Sequence, residues 1–466
     1  SMNMINVRRL TVMTFLGASM LSGISAQVSP LQVDTLKETK IPDQWDLQSC
    51  IDYAKEQNIT IRKNRITAAS TQIDVKTAKA AMFPSLSFST GQQVVNRPYQ
   101  ETSSRVSGSE IISSNSKTSY NGNYGLNASW TLYNGNKRLK TIQQEKLNNQ
   151  MAELDVATSE NNIQESIAQV YIQILYAAES VKVNENTLQV SIAQRDRGQE
   201  LLNAGSIAKS DLAQLEAQVS TDRYQLVTAQ ATLEDYKLQL KQLLELDGEN
   251  EMNIYLPALS DENVLAPLPT KRDVYISALS LRPEIEASKL NVEASELGIN
   301  IAKSSYFPTI SLSAGIGTNH TSGSDFTFGE QVKNGWNNSI GLSVSVPIFN
   351  NRQTKSAVQK AKLQYETSML SLLDEQKALY KTIESLWLDA NSAQQRYAAA
   401  NEKLKSTQIS YELISEQFNL GMKNTVELLT EKNNLLQAQQ EQLQAKYMAI
   451  LNTQLLKFYQ GDQLAL

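Results

Sequence analysis

The chain carries one pattern twice. Thr77-Ala78-Lys79-Ala80-Ala81-Met82-Phe83-Pro84-Ser85-Leu86-Ser87-Phe88 returns as Ile301-Ala302-Lys303-Ser304-Ser305-Tyr306-Phe307-Pro308-Thr309-Ile310-Ser311-Leu312. Leu132-Tyr133-Asn134 returns as Ile348-Phe349-Asn350, and Leu202-Asn203-Ala204-Gly205 as Phe418-Asn419-Leu420-Gly421. The offset is 224 at the first pair and 216 at the other two, so the first half holds eight extra residues between Pro84 and Asn134. Internal duplication decides the architecture before any local assignment. It overrides the several domains that 466 residues would otherwise suggest.

Two short regions in each half alternate with period two. In 120–132 the even positions are Tyr120, Gly122, Tyr124, Leu126, Ala128, Trp130 and Leu132, and the odd ones are Asn, Gly, Ser or Thr. Ile310, Leu312, Ala314 and Ile316 alternate with small polar residues, as do Ile340, Leu342, Val344, Val346 and Ile348. The pattern predicts strands over about 85–95, 120–132, 309–317 and 338–348, each with one apolar and one polar face. A half-buried sheet of a soluble protein would read alike. Three features favour a membrane barrel. The strands have the roughly ten residues of a tilted spanning strand. The polar face is small and uncharged. Phe83, Trp130, Tyr133, Tyr306, Phe307 and Phe349 stand at strand ends, where an interfacial girdle belongs. Four strands cannot close a barrel, and an open edge cannot face lipid, so oligomerisation is required. A trimer supplies twelve strands. The Ser/Thr/Asn/Gly-rich stretches 96–119 and 318–337 read as extracellular loops.

No proline falls between Pro98 and Pro257 or after Pro347, which permits very long helices. Leu379, Ile383, Leu386, Ala390, Ala393, Tyr397, Ala400 and Leu404 form a heptad seam. Ile163, Ile167, Val170, Ile174, Ala177 and Val181 hold the same phase in the first half. A helix over 137–203 would span roughly 100 Å. Gly205 and Gly421 fit the left-handed position that ends a helix. New helices are expected from about Lys209 and near Asn424, making two long hairpins whose other faces, rich in Gln, Asn, Ser, Lys and Glu, suit the lining of a water-filled duct.

Arg8-Arg9, the apolar run Leu10–Leu21 and small residues to Ala26 follow the order of a secretory signal. The expected organisation is a signal at 1–26, a first repeat at 27–255, a linker at 256–270 and a second repeat at 271–466. The net charge of −5 gives no reason to expect a nucleic-acid partner. One cysteine and one histidine exclude a disulfide framework or a Cys/His metal cluster within one chain. Cys50 reads as a small buried residue near a helix start, and His320 as a solvated loop residue. No nucleophile, metalloprotease or phosphate-loop motif is present, so no catalytic residue, cofactor or metal is expected.

The duplication, Trp45 ahead of a helix start at Cys50–Ala54, the two Phe-Pro junctions and the two tip turns together resemble the TolC-like outer membrane efflux family. The tips are most specific. Gly421-Met422-Lys423-Asn424-Thr425-Val426-Glu427-Leu428-Leu429 is similar to the family's Gly-Thr-Arg-Thr-x-x-Asp-Val-Leu turn, and Gly205 to Leu212 to its first-repeat counterpart. The resemblance implies a trimeric twelve-stranded β-barrel in the outer membrane of a Gram-negative bacterium, continued by an α-helical barrel through the periplasm. It implies tips that close the duct and engage a periplasmic adaptor, itself coupled to an inner-membrane RND or ABC pump. By similarity Lys423 replaces a gate arginine. Asp211, beside Ser210, replaces the aspartate that pairs with it, and Glu427 replaces an acid of the constriction ring. Phe418 stands where the family has a tyrosine, and Thr430 where it has a second constriction aspartate. Lysine makes no bidentate fork with a carboxylate, so such a gate rests on fewer directional bonds. A trimeric surface or structural coiled-coil protein and a passive porin are the alternative readings. The former leaves the paired amphipathic strands unexplained, and the latter the long hairpins.

Overall fold

The computed structural model describes residues 40–466 except 102, 108, 115 and 116, and only the backbone of strands 103–107 and 110–114. The expected signal at 1–26 lies outside the described residues. Residues 44–466 form one unit. Its first half runs α1 (Leu47–Gln57), α2 (Ile59–Ala80), β1 (Ser85–Asn96), β2 (Ser103–Ser107), β3 (Glu110–Ser114), β4 (Thr118–Tyr133), α3 (Lys137–Asn203) and α4 (Lys209–Leu243). After the short α5 (Asp261–Val264), the second half runs α6 (Lys271–Leu281), α7 (Pro283–Lys303), β5 (Thr309–Thr321), α8 (Phe328–Asn334), β6 (Asn337–Ser345), α9 (Gln353–Asn419) and α10 (Thr425–Gln460).

The long helices match their expected bounds. Both α3 and α9 have 67 residues and begin 216 positions apart. Two helices precede the strands in each half, α1 and α2 in the first and α6 and α7 in the second. The break between α1 and α2 falls at Asn58, whose side chain accepts from the Thr60 and Ile61 N–H groups and donates to the Leu243 carbonyl. Asparagine competes with a helix interior and serves well as an N-cap. The break between α6 and α7 places Pro283 at the first position of the new helix, where its missing N–H costs nothing.

Two apolar clusters sit where these short helices dock on the long ones. One gathers Trp45, Cys50, Ile167, Tyr171, Ile174, Leu240, Leu244 and Tyr397; the other Val274, Ala278, Ile285, Leu379, Ile383 and Leu456. Cys50 is fully buried, and burial pushes its thiol up to about 12, so it is an inert core residue. The stretch 256–270 is strapped down. The Gln394 amide donates to the Val264 and Ala266 carbonyls at 3.1 and 2.8 Å. The Trp387 indole donates to Pro269 at 3.2 Å. Trp45 closes the other side, its N–H donating to Asn253 and its carbonyl accepting from Tyr255, both at 2.8 Å.

The four-stranded sheet runs β1-β4-β5-β6, antiparallel throughout. All four strands differ in their bounds from expectation. β4 and β5 extend further at the loop end, β1 gains Asn96, and β6 stops at Ser345, leaving Val346 and Ile348 outside it. The register of β4 and β5 shifts between Thr131 and Tyr133, so Tyr133, not Leu132, lies opposite Ile310. The presumed loops also hold structure. β2 and β3 pair as a separate hairpin, and α8 fills part of 318–337. His320, expected in solvent, is buried on β5. Its ring lies 5.8 Å from Tyr124 and 4.9 Å from Phe328.

Candidate functional site

Two regions carry features that packing alone does not require: the helical tips and the sheet. At the first tip Gly205 N–H donates to Leu202 at 2.9 Å and Ser206 N–H to Leu201 at 2.8 Å. At the second, Gly421 donates to Phe418 at 3.0 Å and Met422 to Gln417 at 2.8 Å. The glycines have φ +74° and +77°. This paired bonding is the Schellman closure, which wants glycine in the left-handed region. No heavy atom lies within 4 Å of where a Cβ would stand on either. Backbone conformation, not space, is the constraint.

The tip charges are engaged locally within one chain. Lys423 Nζ lies 3.4 Å from the Glu427 carboxylate. Glu427 also accepts from the Asn424 N–H at 3.0 Å, while the Asn424 side chain accepts from the Glu427 N–H at 2.8 Å. This capping box starts α10. The Asn424 N–H bond, aided by Lys423, holds the Glu427 carboxyl below its usual range. Asp211 accepts from the Ala208 N–H at 3.1 Å and so caps α4. Lys423 and Asp211 thus have separate partners inside the chain. Ser210 and Thr430 are exposed, and Phe418 is buried.

A second charge cluster lies above the tips, and the sequence reading missed it. Lys432 on α10 pairs with Asp222 on α4, and the Ser191 hydroxyl on α3 donates to the same carboxylate. All three residues are buried. Gln218 donates to the other Asp222 oxygen at 2.9 Å and to Asn433 at 3.3 Å. Burial pulls the Lys432 ammonium below its ordinary range, against the pull of Asp222. The cluster ties the first helical hairpin to the second. Its signal was legible, since each charge interrupts an apolar seam: Leu212, Leu215, Val219, Asp222 on α4 and Leu428, Lys432, Leu435 on α10.

In the sheet the register lines up the alternation across strands. Phe88 faces Leu126, which faces Ile316; Ala128 faces Ala314, which faces Ile340; Trp130 faces Leu312, which faces Leu342. One face is therefore apolar over the half of the sheet nearer the long helices, with Thr90, Gln92, Thr318 and Asn338 joining it toward the loop end, and Leu86, Phe88, Ile340, Leu342 and Val344 on it are exposed. The other face is Ser, Asn, Gly and Thr, with Gln93 and Val95 at the loop end of β1. Both edges, β1 and β6, lack a partner strand among the described residues. Phe83, Trp130, Tyr133, Phe307 and Phe349 all gather at the end where the sheet meets α2, α3, α7 and α9. Trp130 donates to the Met82 carbonyl there at 2.9 Å.

The solved structure of the channel CusC aligns with a TM-score of 0.76 at 18% identity, covering 91% of this chain and 96% of that one. VceC from Vibrio cholerae aligns at 0.72 and 16%, covering 90% and 97%. These likenesses show the fold. By sequence, the outer membrane efflux protein BepC of Brucella suis biovar 1 is 24% identical over 63% of this chain, and the outer membrane protein TolC of Escherichia coli K12 is 24% identical over 61%. The alignments span 61% and 58% of those two relatives' own lengths. The family model described as outer membrane efflux protein matches residues 50–245 and 274–461, one match in each half of the duplication. The chain belongs to the outer membrane efflux protein family.

Proposed function

We propose that three copies of this chain form the exit duct of a tripartite efflux or type I secretion system in the outer membrane of a Gram-negative bacterium. The observation that carries this reading is a four-stranded sheet with one exposed apolar face and two edges unpaired among the described residues, joined to helical hairpins roughly 100 Å long. An apolar face that size is stable only against lipid or protein. Unpaired edges cannot face hydrocarbon. Three sheets joined edge to edge satisfy both demands with twelve strands.

The helices support the same closure. α2 packs on α3, and α7, its counterpart in the duplication, packs between α3 and α9. Repeating that order places α2 of one copy against α9 of the next. Exposed Ile59, Ile66 and Ile73 on α2, spaced by sevens, suit that contact.

The chain acts as a conduit, with no reaction of its own. The tips set by Gly205 and Gly421 dock a periplasmic adaptor linked to an RND or ABC pump. In the trimer Lys423 is within reach of a neighbouring copy's Asp211 and Ser210, and Glu427 contributes to a ring of three carboxylates. Reconstitution in a planar bilayer tests this. A small, cation-selective conductance is expected. Neutralising the ring with Glu427→Gln should reduce that selectivity, and anion preference in the unmodified protein would contradict the placement of Glu427. A silent protein would support a stalk, and a large unselective conductance a porin.

A further inference from the structure

The segment between β5 and β6 folds back onto β5. The even-numbered residues of β5, from Ile310 through Ile316 to His320, share the apolar face. α8 packs on that same face. The Phe328 ring meets His320 edge-on at 4.9 Å and Tyr124 at 6.4 Å. The Thr318 hydroxyl donates to the Val332 carbonyl at 2.5 Å. His320 in turn lies across Gly122 of β4, where an added Cβ would fall 2.1 Å from the imidazole Cε1. Glycine here is the space that lets the ring lie flat on the sheet. A capping box of Thr327 and Glu330 fixes the start of α8, with N–H to carboxylate at 2.8 Å.

We propose that α8 and its flanking aromatics lie on the outer wall of the barrel, in contact with the lipid of the outer leaflet at the depth of the membrane interface. This rests on the barrel reading above, in which the apolar face is the lipid face. Two observations fix the occupant. The first is continuity: α8 extends the face that carries Leu126, Ile316 and Leu342, and Phe326, Phe328 and Trp336 remain exposed on or beside it. Trp336 keeps to that face through its indole N–H, which donates to Asn338, opposite Ile316, at 3.0 Å. The second is depth. Trp130 and Tyr120 are ten residues apart on β4, roughly 33 Å at about 3.3 Å per residue. Tilted by about 40°, that separation spans about 25 Å, the height of the apolar band of an outer-membrane barrel. The cluster of Tyr120, His320, Phe328 and Trp336 is thus the upper girdle, where aromatic rings with one polar atom are favoured. α8 also covers the imidazole that would otherwise face hydrocarbon.

Spin labels on single introduced cysteines test the placement. Cys50 is buried and stays silent. Trp336→Cys and Phe326→Cys are labelled in protein reconstituted into phosphatidylcholine bilayers, with Leu126→Cys and Asn127→Cys, which lie between the two girdles, as references for the two sheet faces. Collisions with oxygen and with a water-soluble nickel complex are compared. Labels at 336 and 326 should favour oxygen, at a shallower depth than the label at 126, while the label at 127 favours nickel. Nickel-dominated labels at 336 and 326 beside an oxygen-dominated label at 126 would overturn the placement of α8 alone. A nickel-dominated label at 126 would overturn the barrel reading and this inference with it.

Discussion

Helices α3 and α9 are one helix written twice, yet they end in different surroundings. Leu147 on α3 is 9% exposed, and its counterpart Leu363 on α9 is 62% exposed. Ile172 is 3% exposed, and its counterpart Leu388 is 51% exposed. The residue types are equally apolar, so propensity does not explain the gap. Neighbours do. Besides its hairpin partner α4, α3 is packed by α1, α2, α7 and α10, whereas α9 has mainly α6 and α7 besides its hairpin partner α10. The side of α9 that α2 would cover by analogy is bare. A duplicated sequence that buries a position in one half and exposes it in the other marks the surface left for another copy.

Breaking the contacts inside the chain gives the largest effect. Lys432→Met strands the Asp222 carboxylate among three helices, and breaking a buried pair in this way costs about 3–5 kcal/mol. Urea denaturation followed by helical circular dichroism should show the loss. The swap of Asp222→Lys with Lys432→Asp should recover part of it. A neutral single variant would mean that the hairpins are held by their seams alone.

Truncating equivalent leucines sharpens the contrast directly. Leu147→Ala removes a buried side chain and should cost about 2–5 kcal/mol of fold stability. Leu363→Ala should leave the fold of the single chain nearly unchanged but weaken the assembly, seen as dissociation that begins at a higher concentration of detergent-solubilised protein. Equal behaviour of the two would show that Leu363 faces water in the working protein.

The sheet offers a second pair of surfaces. Leu126→Arg on the apolar face is expected to cost about 2–4 kcal/mol near the membrane midplane, measured by refolding into lipid vesicles. Asn127→Arg, one residue along and on the other face, should cost much less. Similar losses would mean that both faces are buried.

The tips should respond least. Gly205→Leu and Gly421→Leu each force a side chain into a left-handed position at about 1–2 kcal/mol, with no clash to add because nothing lies near either Cβ. Trimer yield should persist while adaptor crosslinking falls. Crosslinking that survives both substitutions would move the docking surface to the helix sides.

Much of this was legible because it repeats or alternates. The offset of 216 and the absence of proline placed α3 and α9, and the glycines placed both tips. The helix breaks were harder, since Asn58 lies inside an otherwise helical pattern and Pro283 reads as an interruption only once its position at a helix start is known. Asp222 and Lys432 pair across 210 positions, and single charges on polar helices look solvated until the seam is traced through them. His320 looked like a loop residue because its cover comes from α8, whose seven residues are too few for a periodic signal. The local bond of Lys423 to Glu427, in place of one to Asp211, follows from their spacing of four on a helix start.

If this chain is one third of a duct, native mass measurement of the detergent-solubilised protein will find a single species of three chains that persists on dilution. A stable, folded monomer or dimer with its sheet edges open would contradict it.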